Sequence, residues 1–413
     1  MTKLLDVEVR IPHRTRTPAH EVGRLLDAAP LHAPFDDILI DYCAEFARQL
    51  SRRSQGYAEL QALAFWMRRS ELVRLRTDFK SLLTERTMLM PRGMVFHIPP
   101  ANVDTIFIYS WLLSLLCGNR NIIRLSSRSS EQTELILTII EELAKDERFE
   151  SVSQGVAMVS YGHDEETTSL FSRISDLRVI WGGDATVSAV RRSPLAPHAS
   201  DLTFPDRVSL AVLDAGKIDT SSDDQLAEIA ERFYNDAFWF NQLGCSSPRM
   251  VVWVGDQETF ERASQRFFVK LHEVTIVKGL IVEPGTAIAK LTFGYGVAVR
   301  GDASLVTALG SQVLVVQDAT QGFAPEDFVG AGTFHSTRVD ELNGIVSLIT
   351  RKVQTLSYHG FDSEQLRALI ARISGRGVDR IVPIGQALTF NRYWDGNDLL
   401  QSFTRRVYFE SAH

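Results

Sequence analysis

Met94-Val95-Phe96-His97-Ile98-Pro99-Pro100-Ala101-Asn102 is a short apolar run closed by a proline turn, and it opens an alternation that continues to residue 192. The run reads as a strand. Asn102 or Asp104 can cap the helix that follows, which reaches Cys117 and is stopped by Gly118. Asn121 to Leu125 is a second strand, Ser126 to Ser130 a polar turn, and Ser130 an N-cap for a helix over Glu131 to Lys145. Gly155 to Ser160 makes a third strand, Glu165 to Ile174 a helix, and Leu177 to Trp181 a fourth strand ending in Gly182-Gly183-Asp184. A short helix follows over Ala185 to Arg192. Four strand–helix alternations with short connections predict an α/β fold with a doubly wound parallel sheet.

On the N-terminal side, residues 1–90 read as an extension and then helices, with helical apolar spacing over Asp36 to Leu50 and Gln61 to Asp78. Arg191 to Arg207, with three prolines, reads as an irregular connection and a domain boundary. A second alternating unit follows: strand Val208 to Leu213, helix Asp224 to Phe240, strand Met250 to Val254, helix Glu258 to His272. Residues 275–338 look mixed and short-stranded (Leu280 to Val282, Gln312 to Val316, Thr333 to Val339). Leu342 to Thr350, Thr355 to His359 and Gln365 to Ile373 then give helix, strand, helix. The expected domains are 1–207, 208–385 and a C-terminal segment 386–413 whose Ser402 to Glu410 could be an oligomerisation strand.

The whole chain has 413 residues, enough for two or three domains. A 45% hydrophobic and 23% charged composition is that of a soluble globular protein. The net charge of −7 leaves no basic excess for a nucleic-acid partner. Three widely spaced cysteines (Cys43, Cys117, Cys245) form neither a disulfide framework nor a zinc pattern, which fits a reducing cytoplasm. The opening residues lack a signal-peptide core, and the most apolar stretch, Val103 to Cys117, is too short to span a bilayer.

Two places invite chemistry. Cys245 stands between a helix and a strand in Phe240-Asn241-Gln242-Leu243-Gly244-Cys245-Ser246-Ser247-Pro248, a small-residue turn where a nucleophile would be accessible. Cys43 and Cys117 lie on apolar helix faces and read as core. The second place is the carboxyl ends of the first sheet's strands, where ligands of such sheets bind. Pro99 to Asn102, Arg124 with Ser126, Ser127, Arg128, and the pair Gly182-Gly183 converge there. Helix N-termini and Gly183 suit a pyrophosphate, Arg124 and Ser127 a ribose. No GxGxxG fingerprint is present. A cation rather than an acid at the second strand end accommodates a 2′-phosphate, so the sequence leans toward NADPH. His335 and His359, without ligand spacing, read as structural, and no metal site is expected.

These segments resemble the aldehyde dehydrogenase superfamily, through "HIPPANV", "LLCGNRNIIRLSS" and "FNQLGCSSP". The chain is more closely similar to LuxC-type acyl-CoA reductases, through the Cys-Ser-Ser-Pro turn, "QTLSYHGF" and "RIVPIGQALTFNRYWDGNDL", over roughly residues 90–410. The resemblance implies an aldehyde dehydrogenase-like fold, with a cofactor domain and a second α/β catalytic domain. It implies Cys245 as nucleophile, Asn102 as oxyanion-holding amide, Arg124 at the ribose and Gly183 near the pyrophosphate. It also implies a homo-oligomer.

One departure bears on direction. Aldehyde-oxidising relatives carry a Glu-Leu-Gly-Gly segment whose glutamate activates water; the matching stretch here is Asp201-Leu202-Thr203-Phe204-Pro205-Asp206. Asp201 falls in this stretch but without the Glu-Leu-Gly-Gly pattern, so it is not expected to replace the glutamate. The expected activity is therefore NADPH-dependent reduction of an acyl-CoA or acyl-protein thioester to an aldehyde through an acyl-cysteine, with an acyl-transferring partner protein as one source of substrate. An NAD(P)-dependent aldehyde dehydrogenase and a non-catalytic acyl-holding subunit are the alternatives. The helix before the turn presents its C-terminus to Cys245 and so does not help its thiol ionise.

Overall fold

The computed structural model describes residues 5–100, 104–126, 130–162, 164–318 and 328–410. The chain divides into unit 1, Met1–Pro205 with Phe390–His413, and unit 2, Asp206–Thr389. The last segment, expected as a separate piece, thus belongs to the first unit.

Unit 1 begins with β1 (Asp6–Ile11), β2 (Thr15–Pro18) and α1 (Ala19–Asp27), then a helical layer of α2 (Asp37–Arg53), α3 (Ala58–Trp66) and α4 (Arg69–Lys80). It continues through β3 (Thr87–Pro91), β4 (Met94–Ile98), α5 (Asp104–Leu116), β5 (Arg120–Arg124), α6 (Glu131–Leu143) and α7 (Glu150–Ser153). β6 (Val156–Ser160), α8 (Glu165–Arg173), β7 (Leu177–Trp181), α9 (Asp184–Arg191) and β8 (Ser200–Phe204) complete the alternation. The sheet order is β2-β1-β6-β5-β4-β7-β8, parallel from β6 to β8. Every residue of β4 and β7 is buried, as expected of strands covered on both faces.

Two readings of this unit change. The N-terminal stretch is not only helical: β1 alternates buried Val7, Val9 and Ile11 with exposed residues and pairs antiparallel with β6. The connection 191–207 contains β8, the opposite edge strand. Its Asp201 is held by Arg178, a guanidinium 1% exposed, through Nε (2.8 Å) and Nη2 (3.1 Å). Arg178 also donates to Ser172 Oγ and the Ser193 carbonyl, both at 2.8 Å. This satisfied guanidinium ties β7 to β8.

The C-terminal residues return as β16 (Tyr393–Trp394), β17 (Asn397–Asp398), α15 (Leu399–Ser402) and β18 (Thr404–Tyr408). Asp395 and Gly396, both at positive φ, make the two-residue turn of a tight hairpin. Trp394 is buried against Tyr109 and Trp181, and β18 pairs antiparallel with β3.

Unit 2 comprises β9 (Val208–Asp214), α10 (Ala215–Asp219), α11 (Asp223–Phe238), β10 (Pro248–Val254), α12 (Gln257–Val277) and α13 (Pro284–Arg300). β11 (Ala303–Leu309), β12 (Val313–Asp318), β13 (Thr333–Val339), β14 (Val353–His359), α14 (Ser363–Ile373) and β15 (Arg380–Pro383) follow. Its sheet order is β11-β12-β13-β10-β9-β14-β15, parallel except for edge strand β11. Phe233, Trp253, Phe267 and Phe334 fill the core between this sheet and helices α11 and α12. The short strand expected at Leu280 to Val282 is absent, and α13 replaces the mixed region. Its apolar stripe (Ile288, Leu291, Tyr295, Val299) faces outward and three glycines lower its propensity, so neither signal marked a core helix. Leu342–Leu348 is a 3₁₀ helix rather than an α-helix.

His97 is the buried polar centre of unit 1. Its Nδ1 lies 3.0 Å from Ser110 Oγ and its Nε2 3.0 Å from Asn121 Oδ1, while Trp181 Nε1 donates to Ser110 Oγ at 3.3 Å. Burial pushes its pKa down from 6.5 to about 4, against the opposing pull of Asn121. Unfolded His97 takes up a proton near pH 6.5, whereas folded His97 resists until about pH 4, so falling pH favours the unfolded chain across that window. We expect unit 1 to lose roughly 3 kcal/mol of stability from this group between those limits. His97→Gln should flatten that part of the acid dependence in urea unfolding; an unchanged slope would show that other groups set it.

Candidate active site

α11 is started by a reciprocal cap in which Ser222 and Gln225 bond each other's backbone. The α-helix stops at Phe238, earlier than its apolar spacing predicts, because the chain then turns left-handed. Phe240, Asn241 and Gln242 have φ of 54°, 53° and 64°. Each such non-glycine residue costs about 1 kcal/mol or more, so the turn must be held from outside.

The Gln242 side chain holds it. Fully buried, its Nε2 donates to the Pro248 carbonyl (2.9 Å) and the Thr333 carbonyl (3.0 Å). Its Oε1 accepts from the backbone N–H of Gly332 (2.8 Å) and Thr333 (3.1 Å). The Asn241 carbonyl accepts from Ala331 N at 3.0 Å. Gly332 must be glycine: its φ is +81°, and a Cβ would lie 2.1 Å from the Gln312 carbonyl. Lys290 of α13 secures the same loop, donating to the carbonyls of Ser311 (2.9 Å), Gln312 (2.9 Å) and Ala331 (2.6 Å), although burial pushes its pKa down to about 8. None of these roles was marked by sequence spacing.

The clamp delivers Cys245 to the amino end of β10. Cys245 is half-buried, whereas Cys43 and Cys117 are fully buried with thiol pKa values pushed up by desolvation. The Cys245 carbonyl accepts from Ser209 Oγ (2.7 Å), which in turn accepts from Thr355 N (3.2 Å). Ser246 Oγ donates to Gln354 Oε1 at 3.2 Å, and Ser247 N closes the turn on the Gly244 carbonyl at 3.0 Å. β9, β14 and the turn are thereby locked together behind the sulfur.

Arg249 is the charged neighbour that sequence reading did not single out. It is the second residue of β10, and its guanidinium carbon lies 4.2 Å over the Phe328 ring. Burial pulls its pKa below the usual guanidinium range, while Cys245 and then Asp206 pull it back up. Coulombic coupling is mutual, so the same cation favours the Cys245 thiolate over the thiol. His359 ends β14, at the other end of the sheet, and His335 is buried within β13.

In unit 1 the chain runs from β4 out to β5 and β6, then returns to place β7 on the other side of β4. The crevice beyond β4 and β7 is the position that binds ligands in such sheets. Arg124 ends the strand next to β4, the place where the residue that reads the ribose stands. It donates to the Gly162 carbonyl (3.1 Å) and lies 4.8 Å over the Tyr161 ring. Ser126 follows it, exposed. Gly182 and Gly183 follow β7, and Gly183 is the N-cap residue of α9, although the acid Asp184 in that first turn opposes an anion there. Asn102, Ser127 and Arg128 lie outside the described residues.

The clamp predicts a clear cost. Gln242→Met keeps the volume and removes all four hydrogen bonds, and should destabilise the protein by about 3 kcal/mol in urea unfolding. Wild-type stability in that variant would refute the clamp.

Residues 77–278 match the family model "Acyl-CoA reductase (LuxC)". The chain is 22% identical over 334 residues to a long-chain acyl-protein thioester reductase of Vibrio harveyi, covering 78% of this chain. It spans 64% of the length of that relative. Among solved structures it superposes on aldehyde dehydrogenase 21 of Physcomitrella patens with a TM-score of 0.67 at 11% identity, over 98% of this chain and 94% of the other. Methylmalonate-semialdehyde dehydrogenase of Oceanimonas doudoroffii gives 0.66 at 14% identity, over 96% and 91%. Residues 77–278 are therefore similar to the LuxC acyl-CoA reductases, and the chain is built on an aldehyde dehydrogenase-like fold.

Proposed function

We propose that the protein reduces an acyl thioester to the aldehyde through an acyl-Cys245 intermediate. The observation that carries this reading is a half-exposed thiol on a clamped turn, electrostatically coupled to the Arg249 guanidinium. The Cys245 thiolate attacks the thioester carbonyl, the carbon–sulfur bond to the donor breaks, and the donor thiolate leaves and takes a proton. In this reading the Cys245 N–H and the Asn102 amide hold the developing oxyanion, a role worth about 10²–10³ in rate per donor. Bound along the strand ends of unit 1, NADPH would supply a hydride. Cys245 leaves from the resulting thiohemiacetal as the thiolate, releasing the aldehyde and regenerating the state that Arg249 stabilises.

Support for NADPH over NADH is the cation, Arg124, at the second strand end. Ser126, Ser127, Arg128, Gly182 and Gly183 are the other proposed contacts. The donor is a CoA ester or a protein-bound acyl group delivered by a partner, the latter suggested by the Vibrio harveyi relative's name. Self-association is also proposed, supported by the uncharged, outward face of α13 and readable by sedimentation. A cytoplasmic setting suits the three free cysteines. Among the described residues no helix is long and apolar enough to cross a membrane.

The oxidative alternative needs a base to activate water, and the Asp201 carboxylate is engaged by Arg178, with Arg191 Nε a further 3.6 Å away. We therefore favour reduction. Exposure to an acyl-CoA should add one acyl mass to the wild-type chain and none to Cys245→Ser in intact-protein mass spectrometry. NADPH should then discharge the adduct with loss of reduced-nicotinamide absorbance. Carboxylate formed from free aldehyde and NADP without CoA would overturn the reductase reading, and an adduct that NADPH leaves untouched would point to an acyl-holding subunit.

Arg249 makes a separate prediction. Its charge should lower the pH at which Cys245 reacts with iodoacetamide, so Arg249→Met should move the alkylation profile up by about one pH unit, and Arg249→Lys by much less. Coincident profiles for wild type and Arg249→Met would remove Arg249 from thiol activation.

A further inference from the structure

Unit 2 is doubly wound in its own right. From β9 the chain lays β10 and β13 on one side, then returns to place β14 and β15 on the other. The reversal falls between β9 and β14, and in open parallel sheets the crevice beyond the carboxyl ends at such a reversal is where ligands bind. A cavity of about 450 Å³ occupies that place, within the range of small-molecule sites. Cys245 stands at the opposite, amino end of the sheet, so the proposed reaction leaves this cavity unused.

The chemistry of its lining is specific. Lys217 of α10, exposed, and Tyr358 and His359 at the end of β14, both partly buried, line it. None of these three heads has a hydrogen-bond partner among the described residues. Arg232 of α11 adds a second cation, paired with Glu228, and Asp214 is occupied by the backbone N–H of Lys217 at 3.0 Å. Ile229 and Ile384 provide an apolar wall. Gly360, at φ +97°, lets the end of β14 approach α10, since a Cβ there would lie 2.5 Å from Asp214 Cβ and 3.2 Å from Lys217 Cγ.

We propose that this crevice binds the phosphate group of a small molecule, with Lys217, Tyr358 and His359 as its ligands and the isoleucine wall receiving the rest. Separate point donors lining one crevice from two elements suit a tetrahedral oxyanion, whereas a planar carboxylate is matched best by a single guanidinium fork. The site is independent of the reductase reading.

The test is calorimetric titration of the full chain with inorganic phosphate and, separately, adenosine 5′-monophosphate. Saturable binding should persist in Cys245→Ser and Arg124→Ala, which report on the proposed reaction and cofactor sites. It should weaken about tenfold or more in Lys217→Ala and several-fold in Tyr358→Phe, with circular dichroism unchanged. Binding of both probes supports recognition of phosphate alone, and binding of the monophosphate only supports a nucleotide-like ligand. Absence of saturable binding by either probe, or affinity unaltered by both Lys217→Ala and Tyr358→Phe, overturns the proposal.

Discussion

The Gln242 amide makes the candidate active site geometrically stable. Three successive left-handed residues are an unfavourable way to leave a helix, and isolated from β13 the segment 239–244 has no reason to adopt them. The four hydrogen bonds of one buried side chain, with the Asn241–Ala331 backbone bond, offset that strain. An amide is the right group because it offers two donors and acceptor lone pairs to two carbonyls and two N–H groups. The loop it grips is itself held by Lys290, so an outer helix, an internal loop and the reactive turn form one continuous polar chain.

Rigid placement leaves the ionisation of the thiol to be explained. The preceding helix ends with carbonyls toward the turn, which opposes a thiolate. Arg249 answers this from the other side of Cys245 in sequence, its guanidinium stacked on Phe328 and kept partly out of water, where charges act more strongly on one another. The same separation of roles explains why Asp201 is a poor water-activating base. It is already the carboxylate partner of a buried guanidinium, and freeing it would leave Arg178 unpaired.

Both units are open parallel sheets with a reversal of strand order, yet their candidate sites lie at opposite ends. Unit 1 offers the carboxyl ends of β4, β5 and β7, in keeping with the general rule for such sheets. Unit 2 places the proposed nucleophile, Cys245, at the amino end of β10 and keeps a polar crevice at the carboxyl ends of β9 and β14.

Much of this was legible in the residues alone. Strands β4 to β7, and β9 and β10, are short apolar runs separated by capped helices, and that local pattern needs no long-range information. Cys245 was singled out as a candidate by its small neighbours and its place between helix and strand. What the sequence could not reveal were features whose meaning depends on distant partners. The strand β8 inside a proline-rich connection and the outward-facing α13 gave misleading local signals, because edge strands and exposed apolar helices lack the burial that makes periodicity informative. Gln242 meets Gly332 and Thr333 some ninety positions away, and no spacing rule connects them. By itself the sequence determined most of the strand–helix alternation and marked Cys245 as the candidate nucleophile. Only the tertiary structure decided how Cys245 is held and which cation it is coupled to, because those forces act between residues that the chain brings together by folding.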